Sequence, residues 1–267
     1  MSRRFLCKKR PVTGREEEAM GRLTGKNVVV IGGSRGVGQR VVEAAIGNGA
    51  RVLAVGRHEE RLTQLAREVQ GAEVLALDAT EESAPSRVFD VLRPDVLVVT
   101  AGAFPPAAPI HEQSWQEFAV NWEVDVKIAF HFAKAALTRP LPVGSSVILL
   151  SSGAAIAGSP ISGGYAGAKR TQMFIANYAQ KESDRLKLGL RFTALAPRMM
   201  PDSELGRYAV AGYARYLGIS EADFIQSMDS APTASDVAAG VLEVVTHPDR
   251  SKGRVFVVSG KGLEAAP

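Results

Sequence analysis

The chain has 267 residues, 46% hydrophobic and 22% charged, with 26 Gly, 14 Pro and one Cys. These proportions exclude collagen-like, low-complexity and wholly disordered chains, and the length allows one large α/β domain or two small ones. The formal net charge of +4 invites a nucleic-acid partner, but its distribution argues against one.

Arg3, Arg4, Lys8, Lys9, Arg10 and Arg15 stand against Glu16, Glu17 and Glu18 in the first 20 residues, so most of the excess sits there. The remainder is nearly neutral and has no basic stripe interleaved with aromatics, so no nucleic-acid role is expected. Residues 1–20 read as a disordered basic extension ahead of a usable internal start at Met20. Being Arg-rich, with no acid before Glu16, they have a faint likeness to an organellar presequence, but Ser is scarce. They hold no apolar run suited to a secretory signal. Cys7 has no internal partner, and no run of about 18 apolar residues suggests a membrane span. A cytoplasmic protein is expected.

From Lys26 onward, short β-branched runs alternate with helical patterns. Val28–Ile31 reads as a buried strand stopped by glycines, followed by a helix from about Val37 to Asn48. Arg51–Val55 is the next strand and Glu59–Gln70 the next helix. Strands follow at Val74–Leu77 and Val96–Val99. Trp115–Leu137 reads as one long helix closed by Pro140 and Pro142. Val147–Leu150 is a fifth strand, Gly164–Leu188 a second long helix and Arg191–Leu195 a sixth strand. Residues 197–232 form an insertion with its own helical patterns; Ala234–Thr246 is a further helix and Val255–Val258 a seventh strand. Strands alternating with helices predict right-handed βαβ units in a single-domain α/β fold, a doubly wound parallel sheet of about seven strands with helices on both faces, over residues 21–267.

Between the first strand and helix lies Gly32-Gly33-Ser34-Arg35-Gly36-Val37-Gly38. Glycines allow a tight turn and close approach to a pyrophosphate, and a helix N-terminus offers unpaired N–H groups to the anion. The Gly-x-x-x-Gly-x-Gly spacing departs from the Gly-x-Gly-x-x-Gly fingerprint, so the strand before and helix after carry the reading; an ordinary strand-to-helix turn is the bland alternative. The second strand ends Val55-Gly56-Arg57-His58, with no acid before Glu59 to bind a ribose hydroxyl. Arg57, assisted by Arg35, is placed to take a 2′-phosphate, which points to NADP(H).

Tyr165 and Lys169 stand four residues apart on a helix and share a face. A free phenol titrates at about 10, and a fixed cation stabilises its phenolate; lowering that value by about 3 requires about 4 kcal/mol of preferential stabilisation. The pair alone carries little weight, since Tyr-x-x-x-Lys can arise by chance. Ser151 and Ser152 end the fifth strand, at the edge where α/β sheets bind ligands, and neighbours in a strand point to opposite sides.

With these residues the sequence resembles the short-chain dehydrogenase/reductase family, from about Leu23 to Val258. The resemblance implies a Rossmann-type fold and a tetrad of Asn121, Ser152, Tyr165 and Lys169. Asn121 would hold a water in a proton relay, Ser152 orient the substrate carbonyl, Tyr165 act as general acid/base and Lys169 hold the nicotinamide ribose. It further implies cofactor contacts at Gly32, Ser34, Arg35, Gly36, Val37, Gly38, Arg57, Asp78, Ala79, Ala101, Gly102, Tyr165, Lys169 and Pro197. Residues 197–232 would be a substrate lid, and a homodimer or homotetramer is implied by resemblance alone. The implied activity is hydride transfer between NADP(H) and a small-molecule carbonyl or alcohol, as in a ketone reductase. A non-catalytic NADP(H)-binding sensor or scaffold on the same fold is the alternative.

Three positions depart from the family pattern: Ile31 stands for a threonine, Thr100 for an asparagine and Arg198 for a glycine. None removes a reacting group. His58, His111, His131 and His247 lack metal-ligand spacing, and no metal is expected. Trp115 and Trp122 share a helix face and suit a core or subunit interface. Met200, Tyr208, Tyr213, Tyr216, Leu217 and Phe224 in the insertion suit either an apolar substrate or the lid's own packing.

Overall fold

Unbroken runs of valine, isoleucine and leucine suit strands covered on both faces. In the computed structural model, which describes residues 21–247 and 252–266, the first such run forms β1 (Asn27–Ile31). The expected extension over residues 1–20 lies outside the described residues. After β1 come α1 (Gly36–Gly47), β2 (Arg51–Gly56), α2 (Glu59–Glu68), β3 (Ala72–Ala76), α3 (Ala84–Val91) and β4 (Val96–Val99). The chain continues through α4 (Trp115–Asn121), a π-helical turn (Trp122–Val126) and α5 (Lys127–Thr138) to β5 (Ser146–Leu150). Then follow the single-turn α6 (Ala154–Ala157), α7 (Gly163–Arg185), β6 (Arg191–Pro197), α8 (Glu204–Leu217), α9 (Glu221–Gln226), α10 (Ala234–Thr246), β7 (Val255–Ser259) and β8 (Gly262–Ala265).

The strands form one sheet in the order β3-β2-β1-β4-β5-β6-β7-β8. β1 pairs in parallel with both β2 and β4, so the chain reverses its direction of travel across the sheet there. This is the switch point at which a crevice opens beyond the carboxyl ends of the strands.

The two-residue period of each strand sorts its side chains into two cores. Val29, Ile31, Leu53, Leu97, Val99 and Leu149 pack with α3, α5 and α7 through residues such as Phe89, Phe132 and Met173. Val28, Val30, Val52, Val98 and Ile148 pack on the other face with α1, α2 and α10 through Val41, Leu62 and Val241. Burying one such side chain contributes about 1.5–3 kcal/mol, so both helical layers are strongly held.

Several details correct the sequence expectation. The sheet has eight strands, and β8 runs antiparallel to β7 at the edge. It is four residues long and largely exposed, with Leu263 its main apolar contribution, so it presents no periodic signal. Helix α3, also unforeseen, starts with Pro85 in its first turn and buries Ala84, Val88 and Phe89. The long helix over Trp115–Leu137 is continuous but carries a π turn at Trp122–Val126, and β3 begins at Ala72, two residues early. Trp115 and Trp122 are exposed, which excludes a place in this chain's core. Among the described residues, no helix is long and apolar enough to cross a membrane.

Candidate active site

At the end of β1 the backbone enters the left-handed region at Gly32 (φ +90°), and the N–H groups of Gly32 and Gly33 donate to the Val55 carbonyl at 2.8 and 3.1 Å. From β4's end, the Thr100 hydroxyl lies 2.9 Å from the Ile31 carbonyl oxygen and 3.2 Å from that of Gly32. A hydroxyl thus ties the turn where the resemblance implied an asparagine. A Cβ at Gly38 would lie 2.1 Å from the Gly32 carbonyl oxygen, so only glycine allows α1 to start this close to the turn. Arg35 precedes α1 without a side-chain cap, and the first turn of α1 has no acid. Its N–H groups and partial positive charge therefore remain available to an anion.

The turn opens into a cavity of about 1150 Å³ along the carboxyl edge of the sheet. Gly32, Ser34, Arg35, Gly36, Val37, Gly38, Arg57, Asp78, Ala79, Ala101, Gly102, Ser152, Tyr165, Lys169 and Pro197 all line it. Asp78 accepts from the Thr80 N–H at 2.9 Å and hydroxyl at 2.7 Å. The N–H, followed by the hydroxyl and the Arg57 and Lys127 charges, holds the Asp78 carboxyl below its ordinary range against the opposing effect of burial.

The two serines ending β5 point in different directions. Both line the cavity, but Ser151 is buried and donates to the Lys169 carbonyl at 2.7 Å, fastening α7 to the strand, whereas Ser152 is only half-buried. Lys169 lies 5.7 Å from the centre of the Tyr165 ring and donates to the Leu150 carbonyl at 3.0 Å. α7 can sit this close to α4 because a Cβ at Gly164 would lie 2.0 Å from the Phe118 carbonyl oxygen.

Asn121 is the one residue of the expected set that does not line the cavity. It is fully buried, and its amide donates to the Ala103 carbonyl at 2.9 Å and to Asp125 at 3.1 Å. The group that reaches Lys169 is Asp125, whose carboxylate lies 3.7 Å from Nζ. Burial pushes the Asp125 carboxyl up, while Lys169, the Ala103 N–H and Asn121 oppose that rise. The sequence reading missed Asp125. Its signal was an acid on the same face of the long helix as Ile128, Phe132 and Ala136.

Over the cavity's outer wall lies the insertion. Arg35 ion-pairs with Glu204 at the start of α8 and lies 5.2 Å from the Phe104 ring centre. Tyr213 stacks on Phe224 at 5.2 Å and donates to Ser159 at 2.7 Å, so part of the insertion's aromatic content packs α8 on α9. Met200 and Tyr213 also line the cavity. Arg198 faces Asp229 at 3.7 Å. Among the described residues, no cluster of three or more His, Cys, Asp or Glu could hold a metal.

A doubly wound sheet with a glycine turn at its switch point defines a nucleotide-binding α/β architecture. Residues 26–211 match the family model for short chain dehydrogenase, and the chain belongs to that family of oxidoreductases, which bind a nicotinamide cofactor. Among similar proteins, L-fucose dehydrogenase of Bos taurus is 34% identical over 140 residues, covering 50% of this chain and 52% of the relative. L-xylulose reductase of Homo sapiens is 30% identical over 45% of this chain and 51% of the relative. The NADP-dependent (R)-specific alcohol dehydrogenase of Lentilactobacillus kefiri is 26% identical over 55% and 62%. The matches thus span about half the length of the first two relatives.

Proposed function

We propose that the protein is an NADP(H)-dependent oxidoreductase acting on a small carbonyl or alcohol, with residues 197–232 as its substrate lid. The observation carrying this reading is a single cavity lined both by Ser152, Tyr165 and Lys169 and by the glycine turn, Arg35 and Arg57.

The chain's residues fit the cofactor. The close-packed turn at Gly32 and Gly38 and the uncapped start of α1 suit a pyrophosphate. Arg57 and Arg35 suit a 2′-phosphate, and no acid at the end of β2 would repel it. Asp78, Ala79, Ala101, Gly102 and Pro197 line the same cavity as the turn and the Tyr–Lys pair. Bound there, the nicotinamide would donate or accept a hydride.

In the reductive direction Tyr165 donates its phenolic proton to the carbonyl oxygen as charge builds there, and Ser152 donates a hydrogen bond to the same oxygen. Lys169 stabilises the phenolate left behind and binds the ribose hydroxyls. Oxidation runs these proton movements in reverse. The exposed Phe130 of α5 and the Phe174 and Tyr178 of α7 support self-association of these packed helices. A cytoplasmic location accompanies the proposal.

The test follows NADPH absorbance with a panel of ketones, quinones and β-keto thioesters, in parallel with Tyr165→Phe. Turnover lost in the variant with NADPH binding retained is the expected result. Tight cofactor binding with no turnover anywhere in the panel would favour a cofactor-binding sensor instead.

A further inference from the structure

We infer that Asp125 is the positioning residue of Lys169, an ionised carboxylate that holds the ammonium in place and offsets its charge beside Tyr165. The inference rests on the function proposed above.

The hydrogen-bonding environment assigns the charge. Asp125 is completely buried, and its oxygens face the Ala103 N–H at 2.9 Å, the Asn121 amide N–H at 3.1 and 3.4 Å, and Lys169 Nζ at 3.7 Å. Each of these groups is a donor. The Asn121 amide is oriented by the Ala103 carbonyl, which requires an N–H to face it. A protonated Asp125 would need an acceptor for its O–H, and none of these contacts provides one. Lys169 is equally enclosed, with 7% of its side chain exposed, and its hydrogen bond to the Leu150 carbonyl leaves a full positive charge to be balanced. Among the described residues, Asp125 is the acid within ion-pair distance of it.

The surroundings are otherwise without charge. α7 presents Lys169 and Tyr165. The segments from Thr100 to Phe104 and from Leu150 to Gly153 contain no ionisable side chain. On its own helix, Glu123 and Lys127 are exposed. A Cβ at Gly102 would lie 2.6 Å from Asp125 Oδ1, so the backbone closes directly over the carboxylate. Gln172 donates to the Asp125 carbonyl at 3.1 Å and fastens the π turn to α7. The carboxylate and the ammonium are thus fixed to one another by both helices.

Asp125→Asn removes the charge at nearly constant shape and leaves the cation unbalanced next to the phenol. In cofactor-free protein, the alkaline ultraviolet transition that Tyr165→Phe abolishes is expected about one pH unit lower in Asp125→Asn. The pH profile of turnover should move in the same acidic direction. An unmoved ultraviolet transition would overturn the inference. Because that titration needs no substrate, a silent substrate panel and an unmoved transition are separable failures. If Asp125→Asn does not fold, Asp125→Asn/Lys169→Met decides: recovered folding supports the charge pair, and a double variant as unfolded as the single one rejects it.

Discussion

Arg35 in the glycine turn and Glu204 at the start of α8 form an ion pair across the mouth of the cavity, 169 residues apart in sequence. The side chain proposed to take a 2′-phosphate is therefore already engaged by the segment proposed as lid. Both partners are substantially exposed, so the pair contributes at most about 1 kcal/mol. Glu204→Gln should release Arg35 and tighten NADPH binding by up to about 5-fold with little change in melting temperature. Isothermal titration would show this, and equal affinities in the two proteins would mean that lid and phosphate do not compete.

Arg57 directly follows β2 and is the residue proposed to take the 2′-phosphate. A charge-assisted contact to phosphate is worth about 1.5–3 kcal/mol, so Arg57→Glu should weaken NADPH binding by about 10- to 150-fold. NADH binding should hold or improve. Fluorescence titration with both cofactors reads the ratio, and a parallel loss of both would point to damage of the turn instead.

Gly164 permits the contact between α7 and the Phe118 carbonyl one residue from Tyr165. Gly164→Ala forces the helices apart, at a cost of about 1–3 kcal/mol for overpacking. Thermal denaturation should report the loss. Turnover should fall further than NADPH affinity, because the displacement acts on the phenol and leaves the glycine turn untouched.

Asp78 is held below its ordinary value chiefly by the Thr80 N–H. A carboxyl whose folded value lies below its unfolded one stabilises the fold above the unfolded value and loses that contribution as pH falls through the folded one. The melting-temperature difference between the natural protein and Asp78→Asn should therefore be steady from about pH 8 to 5 and shrink below about 4. A difference that stays constant into strong acid would show that the Thr80 contacts do not favour the charged form.

The sheet was largely legible because its strands are buried on both faces and read as continuous apolar runs, as in Val28–Ile31 and Val96–Val99. The elements that were not legible owe their form to distant partners. β8 exists because β7 offers it an edge, and α3 because the sheet offers Val88 and Phe89 a face. In the site, Ser152 was singled out by the family resemblance, and the glycine turn and the Tyr165–Lys169 pair could be picked out from local spacing. Asp125 could not, since its importance depends on the π turn and on a lysine 44 positions away that α7 brings across. Asn121, the more conspicuous residue, serves the carboxylate instead of the lysine.

The Thr100 hydroxyl bound beneath the glycine turn bears on the order in which the protein assembles. The turn belongs to the first βα unit, yet its support arrives with β4, 68 residues further along the chain. Closing so long a loop is slow relative to forming a local helix. The first strand and helix can thus form early without a finished nucleotide seat, which is completed only when β4 docks against β1. Recovery of cofactor binding during refolding would then mark the closure of this crossover, later than the recovery of helical signal.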